Sequence, residues 1–263
     1  MPGDSDSFLS RDFPEVLRKI RERTPARIFK GRAGAACRTG AQLELREAHA
    51  AARDAVQAEL DLESAFGKEL LKQWKLFEIG TEARSKEEYL LRPDLGRRFP
   101  ECSKQELFNR CSHGNDLQIA IGDGLSVTAV SAQVPSLLPL LHKGATARGW
   151  KIGNIFVIRH CRVGILNEIG DLLAPKVAIL LIGERPGLAT AESLSAYMAY
   201  RPCTGQTDAN RNLISNIHSR GISPQLATDR ILNLAAQMIA AEMSGISLKE
   251  QLSSAGEQTA RLE

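Results

Sequence analysis

KVAILLIGERPG, residues 176–187, holds the longest unbroken apolar run in the chain, Val177 to Ile182, closed by a glycine, an acid, an arginine and a proline. Such a run is far too short to span a bilayer but suits a strand covered on both faces, the habit of parallel strands. Two shorter runs precede it: Leu117-Gln118-Ile119-Ala120-Ile121, closed by Gly122-Asp123-Gly124, and Ile155-Phe156-Val157-Ile158. Helical patterns alternate with them, from Ser126 towards Trp150 with a kink expected at Pro135, and again near 165–173. Alternation of this kind predicts an α/β domain on a parallel, doubly wound sheet over residues 116–263. SAYMAYR, 195–201, alternates as a further strand would, and residues 223–243 close the domain as a long helix between Pro224 and Gly245.

Working outward towards the N-terminus, residues 1–115 read as a mainly helical, charged region with few buried strands. Residues 15–23 form a short amphipathic helix that Thr24-Pro25 ends, because the residue before proline avoids the helical region. Residues 41–66 form a longer helix, 69–77 continue in the same style, and helix resumes over 103–111. Between them LLRPDLGRRF, 90–99, is an irregular loop bearing Arg92, Arg97 and Arg98. Arg97-Arg98 reads first as a solvated pair, yet an arginine cluster on a structured loop also clamps phosphates and acids.

With 263 residues, 43% hydrophobic and 25% charged, the chain has the composition of one or two globular domains. Its net charge of +3 is unevenly spread: residues 1–40 carry nine basic and five acidic side chains, giving +4, which leaves −1 for the remainder. The arm has Phe8, Phe13 and Phe29 as its aromatic residues and no nucleic-acid motif around Phe13 and Phe29, so a subunit-facing or solvated role is expected over nucleic-acid binding. No basic, apolar and small-residue leader pattern follows Met1, which argues against secretion, and no membrane segment is expected. Five cysteines (Cys37, Cys102, Cys111, Cys161, Cys203) at irregular gaps fit reduced thiols, neither a disulfide framework nor a zinc site. The five histidines are equally scattered.

In open α/β sheets ligands bind beyond the carboxyl ends of the strands. Three such ends stand out. Gly122-Asp123-Gly124-Leu125-Ser126 offers two glycines and a helix-capping serine, but Val127 fills the place of the third glycine of a dinucleotide fingerprint. Taken alone, that motif reads as a strand-end turn with no ligand ahead of a binding turn. Arg159-His160-Cys161-Arg162-Val163 follows the second strand. Gly183-Glu184-Arg185-Pro186-Gly187 follows the strongest, where Glu184 is either a surface ion-pair partner in a tight turn or a ligand-facing acid. No acid/base pair, nucleophile triad or metal cluster emerges. The residues by themselves describe a ligand-binding α/β domain; a nucleotide-dependent oxidoreductase and a purely structural subunit both stay open.

Six collinear blocks, RIFKGRAG (27–34), LRPDLGRR (91–98), GDGLS (122–126), KVAILLIGERPGL (176–188), ESLSAY (192–197) and ISNIH (214–218), resemble the small (light) subunit of ethanolamine ammonia-lyase. The resemblance spans roughly residues 27–245. It implies an adenosylcobalamin-dependent ammonia-lyase that converts ethanolamine to acetaldehyde and ammonia, inactive as this chain alone. A large subunit with a TIM-type barrel would hold the substrate, in an assembly of six large and six small subunits. The small subunit would contribute a Rossmann-like domain that supports the cobalamin. Carried over by position, the cobalamin-contacting residues are Val163, Glu184 and Leu213, the last standing where some members have cysteine. No catalytic or metal-ligating residue is implied on this chain. The D-x-H-x-x-G motif that supplies an axial histidine in some cobalamin proteins is absent, so the base-on form of the cofactor is implied. Few residues precede the first matching block, whereas family members can carry a longer extension. The implied location is the cytoplasm, with a bacterial microcompartment as the alternative.

Overall fold

The structure, a computed structural model, describes residues 14–23, 27–187 and 189–251. Arg11 and Phe13 of the arm, the Thr24-Pro25 stop and Leu188 lie outside the described residues. The helices are α1 (Pro14–Arg23), α2 (Thr39–Gln57), α3 (Leu62–Trp74), α4 (Lys86–Leu91), α5 (Glu101–Arg110), α6 (Val127–Ala147), α7 (Leu166–Leu173) and α8 (Pro224–Ala241). The strands are β1 (Arg32–Ala33), β2 (Ala36–Cys37), β3 (Phe77–Gly80), β4 (Leu117–Gly122), β5 (Phe156–Arg159), β6 (Val177–Gly183), β7 (Leu194–Tyr200) and β8 (Asn212–Ile217).

β1 and β2 form a small antiparallel pair, and the remaining strands form one sheet in the order β3-β5-β4-β6-β7-β8. β3, β5, β4 and β6 run parallel, whereas β7 and β8 run antiparallel to their neighbours. The expected parallel sheet is therefore a mixed one. A tight reversal after β6 returns the chain directly beside itself, a connection that only antiparallel neighbours permit.

The apolar runs behave as their composition requires. Along β4 and β6, Ile119, Ile121, Ile179 and Leu181 enter one core with α6 and α8, while Ala120, Leu180 and Ile182 enter a second core with α7. A strand with both faces in a core has no polar side to alternate. Tyr197 of β7 packs at the margin of the second core, and Leu194, Ala196 and Met198 face the first.

Two helical expectations need correction. The 41–66 helix divides at Ala58, whose extended backbone ends α2, and Asp61 caps α3 by accepting the Ser64 N–H at 2.7 Å. The 69–77 helix stops at Trp74, where Lys75 turns left-handed (φ 47°), and Phe77–Gly80 instead joins β5 as the edge strand. Its buried Phe77 and Ile79 alternate with Glu78 and Gly80, and Arg159 of β5 pins Glu78 at 2.9 Å. ISNIH, unassigned from sequence, lies largely within β8. No helix among the described residues is long and apolar enough to cross a membrane.

Burial separates the thiols into two sets. Cys37, Cys102 and Cys203 are exposed, whereas Cys111 and Cys161 are buried, and burial pushes Cys111 up to about 11 and Cys161 well above the ordinary thiol value. Raised values leave almost no thiolate at pH 8, and the thiolate is the nucleophile. A chromogenic disulfide reagent added to the native chain at pH 8 should therefore titrate three thiols rapidly, and the other two only after denaturation.

Candidate functional site at the carboxyl ends of the strands

α6 carries the chain from β4 to β5 on one side, and α7 returns it across β4 to β6 on the other. The strand order reverses there, and a crevice opens beyond the ends of β4 and β6. Two glycines let the adjoining turns meet. Gly124 has φ +60°, and a Cβ on it would lie 2.3 Å from the Gly183 carbonyl oxygen; a Cβ on Gly183 would lie 2.0 Å from that of Ser126. The Leu125 N–H donates to the Gly183 carbonyl at 3.0 Å, and the Ser126 side chain caps α6 by accepting the Ala129 N–H at 3.2 Å.

Asp123, between the two glycines of this turn, is fully buried. Its carboxylate oxygens accept the N–H groups of His160 and Cys161, each at 2.8 Å, so the end of β4 fixes the backbone that leaves β5. Burial pushes its carboxyl group up from the ordinary range, against the pull of the Lys86 ammonium and the two N–H donors. His160 is held left-handed (φ 57°), a costly state for a non-glycine residue, with Nδ1 3.0 Å from the Ala83 carbonyl and Nε2 3.3 Å from Glu59. Tyr89 completes the floor: its hydroxyl donates to the Cys161 carbonyl at 2.9 Å, and the Arg162 guanidinium lies 4.2 Å over its ring. The arginine loop joins here too, because the Arg162 N–H donates to the Gly96 carbonyl at 2.8 Å. Gly96 has no room for a Cβ, which would fall 2.7 Å from the His160 carbonyl.

Above this floor lies a cleft of two lobes. The first, about 370 Å³, is walled by Leu125, Val163, Glu184 and Tyr197; the second, about 690 Å³, by Arg97, Arg98, Asn167, Gln206 and Arg211. Arg162, Val163 and Tyr197 wall both, so the lobes adjoin. Glu184 is half-buried, and its carboxylate accepts hydrogen bonds from the hydroxyls of Ser193 (2.9 Å) and Ser195. These serines flank the start of β7 and aim the carboxylate. Burial and the neighbouring Glu184 and Asp208 carboxylates push the Tyr197 phenol upwards, so it stays neutral.

Val163 and Glu184 thus line one lobe from two different strand ends. Leu213 lies apart from that wall. It is an exposed residue of β8, paired across the ladder with Tyr197, and lines a separate depression of about 350 Å³ beside Asn212 and Leu248. Paired residues point to the same side of a sheet, so Leu213 extends the surface that Tyr197 begins. Sequence reasoning singled out Arg97, Arg98, Arg162 and Arg185, but gave no part to Tyr89, Asn167, Gln206 or Arg211. These come from a short helix and turns without local pattern; Tyr197, inside ESLSAY, was visible as part of a block and not as a cleft residue.

Chemically the cleft combines an apolar wall, acceptors (Glu184, Asn167, Gln206) and guanidinium donors. That composition suits a large amphipathic ligand with a polar rim, whereas no nucleophile and base stand together among the lining residues. The family model of the ethanolamine ammonia-lyase light chain matches residues 14–249. The ethanolamine ammonia-lyase small subunit of Clostridium perfringens is 38% identical over 248 residues, which cover 94% of this chain and 79% of that protein. That of Clostridium acetobutylicum is 39% identical over 235 residues, 89% of this chain and 95% of its own length. That of Listeria monocytogenes serovar 1/2a is 38% identical over 248 residues, 94% of this chain and 80% of its own. The chain belongs to the family of ethanolamine ammonia-lyase light chains, the small subunits of that lyase.

Proposed function

We propose that this chain joins a large subunit to form ethanolamine ammonia-lyase and supports adenosylcobalamin in the two-lobed cleft, ethanolamine being held by the partner. The observation that carries the reading is the meeting of Val163 and Glu184, from two strand ends, on one cavity wall at the reversal of strand order. In this reading residues 116–263 form a Rossmann-like, cobalamin-supporting domain, and residues 1–115 a helical region with a basic arm.

The residues present fit the cofactor. A corrin has an apolar ring rimmed by amide side chains; Val163, Leu125 and Tyr197 offer aliphatic and aromatic contact, and Glu184 an acceptor already aimed by two serines. The side-chain oxygen of Gln206 is buried without a hydrogen-bond partner, an orphan of the kind a ligand amide satisfies. Leu213 would extend the apolar contact through Tyr197. Both ring nitrogens of His160 are engaged, by Ala83 and Glu59, which favours base-on cofactor. When bound, adenosylcobalamin supplies the radical chemistry that turns ethanolamine into acetaldehyde and ammonia. This chain's residues hold the ring by its rim, fix the β5 turn through Asp123, and exclude water from one side.

The partner in this reading has a TIM-type barrel, six copies of each subunit assemble, and the complex works in the cytoplasm, free or within a microcompartment. Co-expression with the large subunit and titration with cobalamin tests it. A saturable change in the visible spectrum of the complex is expected. Binding of a nicotinamide or flavin by this chain, or a spectrum unchanged by cobalamin, would contradict it.

The arm belongs to the assembly in this proposal. α1 exposes Val16 and Ile20, while Arg18 and Lys19 pair within the helix to Glu22 and Glu15, leaving the apolar side open. Neutralising Arg18, Lys19, Arg21 and Arg23 together should weaken the complex several-fold at low salt, read by size-exclusion chromatography, and less at high salt. Unaltered complex formation at low salt would refute the arm's role.

A further inference from the structure

We propose that the larger lobe is an anion subsite that takes the phosphodiester of the cobalamin nucleotide tail, with Arg97, Arg98 and Arg162 as its donors. The inference rests on the cobalamin reading of the cleft and gives the second lobe a ligand chemistry of its own. The lobe carries three carboxylates, each already engaged: Asp94 with Arg92, Asp208 with Arg211, and Glu168 with the Phe99 N–H and Lys104. The Arg162 guanidinium has no carboxylate partner, donates to the Tyr89 carbonyl at 3.3 Å, and keeps its Nε buried and unsatisfied.

The Arg211 side chain is 5% exposed, and its Nε is likewise unsatisfied although Asp208 and Asn167 occupy its terminal nitrogens. Arg97 and Arg98 meet no carboxylate within ion-pair distance among the described residues; Arg97 instead lays its aliphatic stem on Gly164, where a Cβ would lie 2.9 Å from it. Three uncompensated guanidinium groups from two loops, joined by the Arg162–Gly96 hydrogen bond, therefore surround one cavity. Arg97 and Arg98 are exposed, but the Nε groups of Arg162 and Arg211 are buried without partners, a cost that a ligand satisfying them removes, and guanidinium forks match phosphate oxygens. The tail phosphodiester is the anionic group of cobalamin, and the cavity adjoins the lobe lined by Glu184 across Arg162, Val163 and Tyr197.

The test compares two corrinoids on the assembled two-subunit enzyme by equilibrium dialysis: cobalamin, and cobinamide, which lacks the nucleotide tail. Arg97→Gln/Arg98→Gln should weaken cobalamin binding by about tenfold or more and leave cobinamide binding unchanged. Arg148→Gln removes a charge at the far end of α6, where the guanidinium meets Gly144 and Asn233 and lines neither lobe, and should change neither. Equal losses for both corrinoids in the double variant, or no loss for cobalamin, would overturn the subsite. Glu184→Ala keeps the two readings distinguishable, since it should weaken both corrinoids alike. If Glu184→Ala acts and the arginine variants do not, the subsite alone fails; if neither affects cobalamin, the cobalamin reading fails with it.

Discussion

Gly183→Ala should destabilise the chain by about 3 kcal/mol, the upper part of the usual cost of overpacking a well-filled site. The added Cβ would sit 2.0 Å from the Ser126 carbonyl oxygen and 2.9 Å from that of Asp123, both backbone atoms of the turn that caps α6. A side chain could rotate away; a turn locked by the Leu125–Gly183 hydrogen bond cannot retreat without opening the reversal point of the sheet. Gly187, four residues on, provides the control, because its Cβ would meet nothing nearer than 4.0 Å. Urea titration should show a lowered midpoint for Gly183→Ala and a nearly unchanged one for Gly187→Ala. In a domain of this size, a loss of that magnitude lowers Tm by roughly 10 °C. Equal midpoints for the two variants would mean that the turns at β4 and β6 are not in contact.

Glu184→Ala should weaken cobalamin binding to the assembled enzyme by about tenfold to a hundredfold, the range of a lost charge-assisted hydrogen bond, while the subunits still associate. The carboxylate lines the cavity and is aimed by Ser193 and Ser195, so removing it takes away an acceptor that needs no reorganisation on binding. The variant also strips the buried Ser195 hydroxyl of its acceptor, a cost of about 1 kcal/mol in stability. Ser195→Ala separates the two effects. It leaves the carboxylate in place with one anchor and should cost less affinity than Glu184→Ala. Cobalamin affinity unchanged in assembled Glu184→Ala would remove Glu184 from the site.

The legible part of the fold is the part buried on both faces. Val177–Gly183 and Leu117–Gly122 carry apolar side chains into two cores, so their runs are continuous and distinctive. Phe77–Gly80 is an edge strand with one half-exposed face, too short for a period-2 signal to rise above the helix before it. Asn212–Ile217 mixes buried Ile214 and Ile217 with exposed Leu213, and the β7–β8 register shifts between Leu194 and Ala196, which blurs the alternation. The direction of β7 was equally hidden, because strand composition does not encode the neighbour's polarity.

The candidate site divides in the same way. Its glycines and its Glu184 lie in strand-end turns, where small residues and a proline mark the chain locally. Asn167, Gln206 and Arg211 reach the cleft from a helix and from turns separated by tens of residues, and Tyr89 reaches its floor from α4. Only folding brings them to Val163. The arginine loop was visible as a cluster, but its junction with Arg162 rests on Gly96, whose missing side chain admits the His160 carbonyl.

Hydrogen exchange of the assembled enzyme, with and without adenosylcobalamin, tests most directly whether this chain forms part of the cofactor site. Slowed exchange is expected in the amides of residues 122–126, 161–164 and 183–185, the three strand-end turns around the cleft. Protection confined to the large subunit, with these turns exchanging at the same rate in both states, would contradict the account.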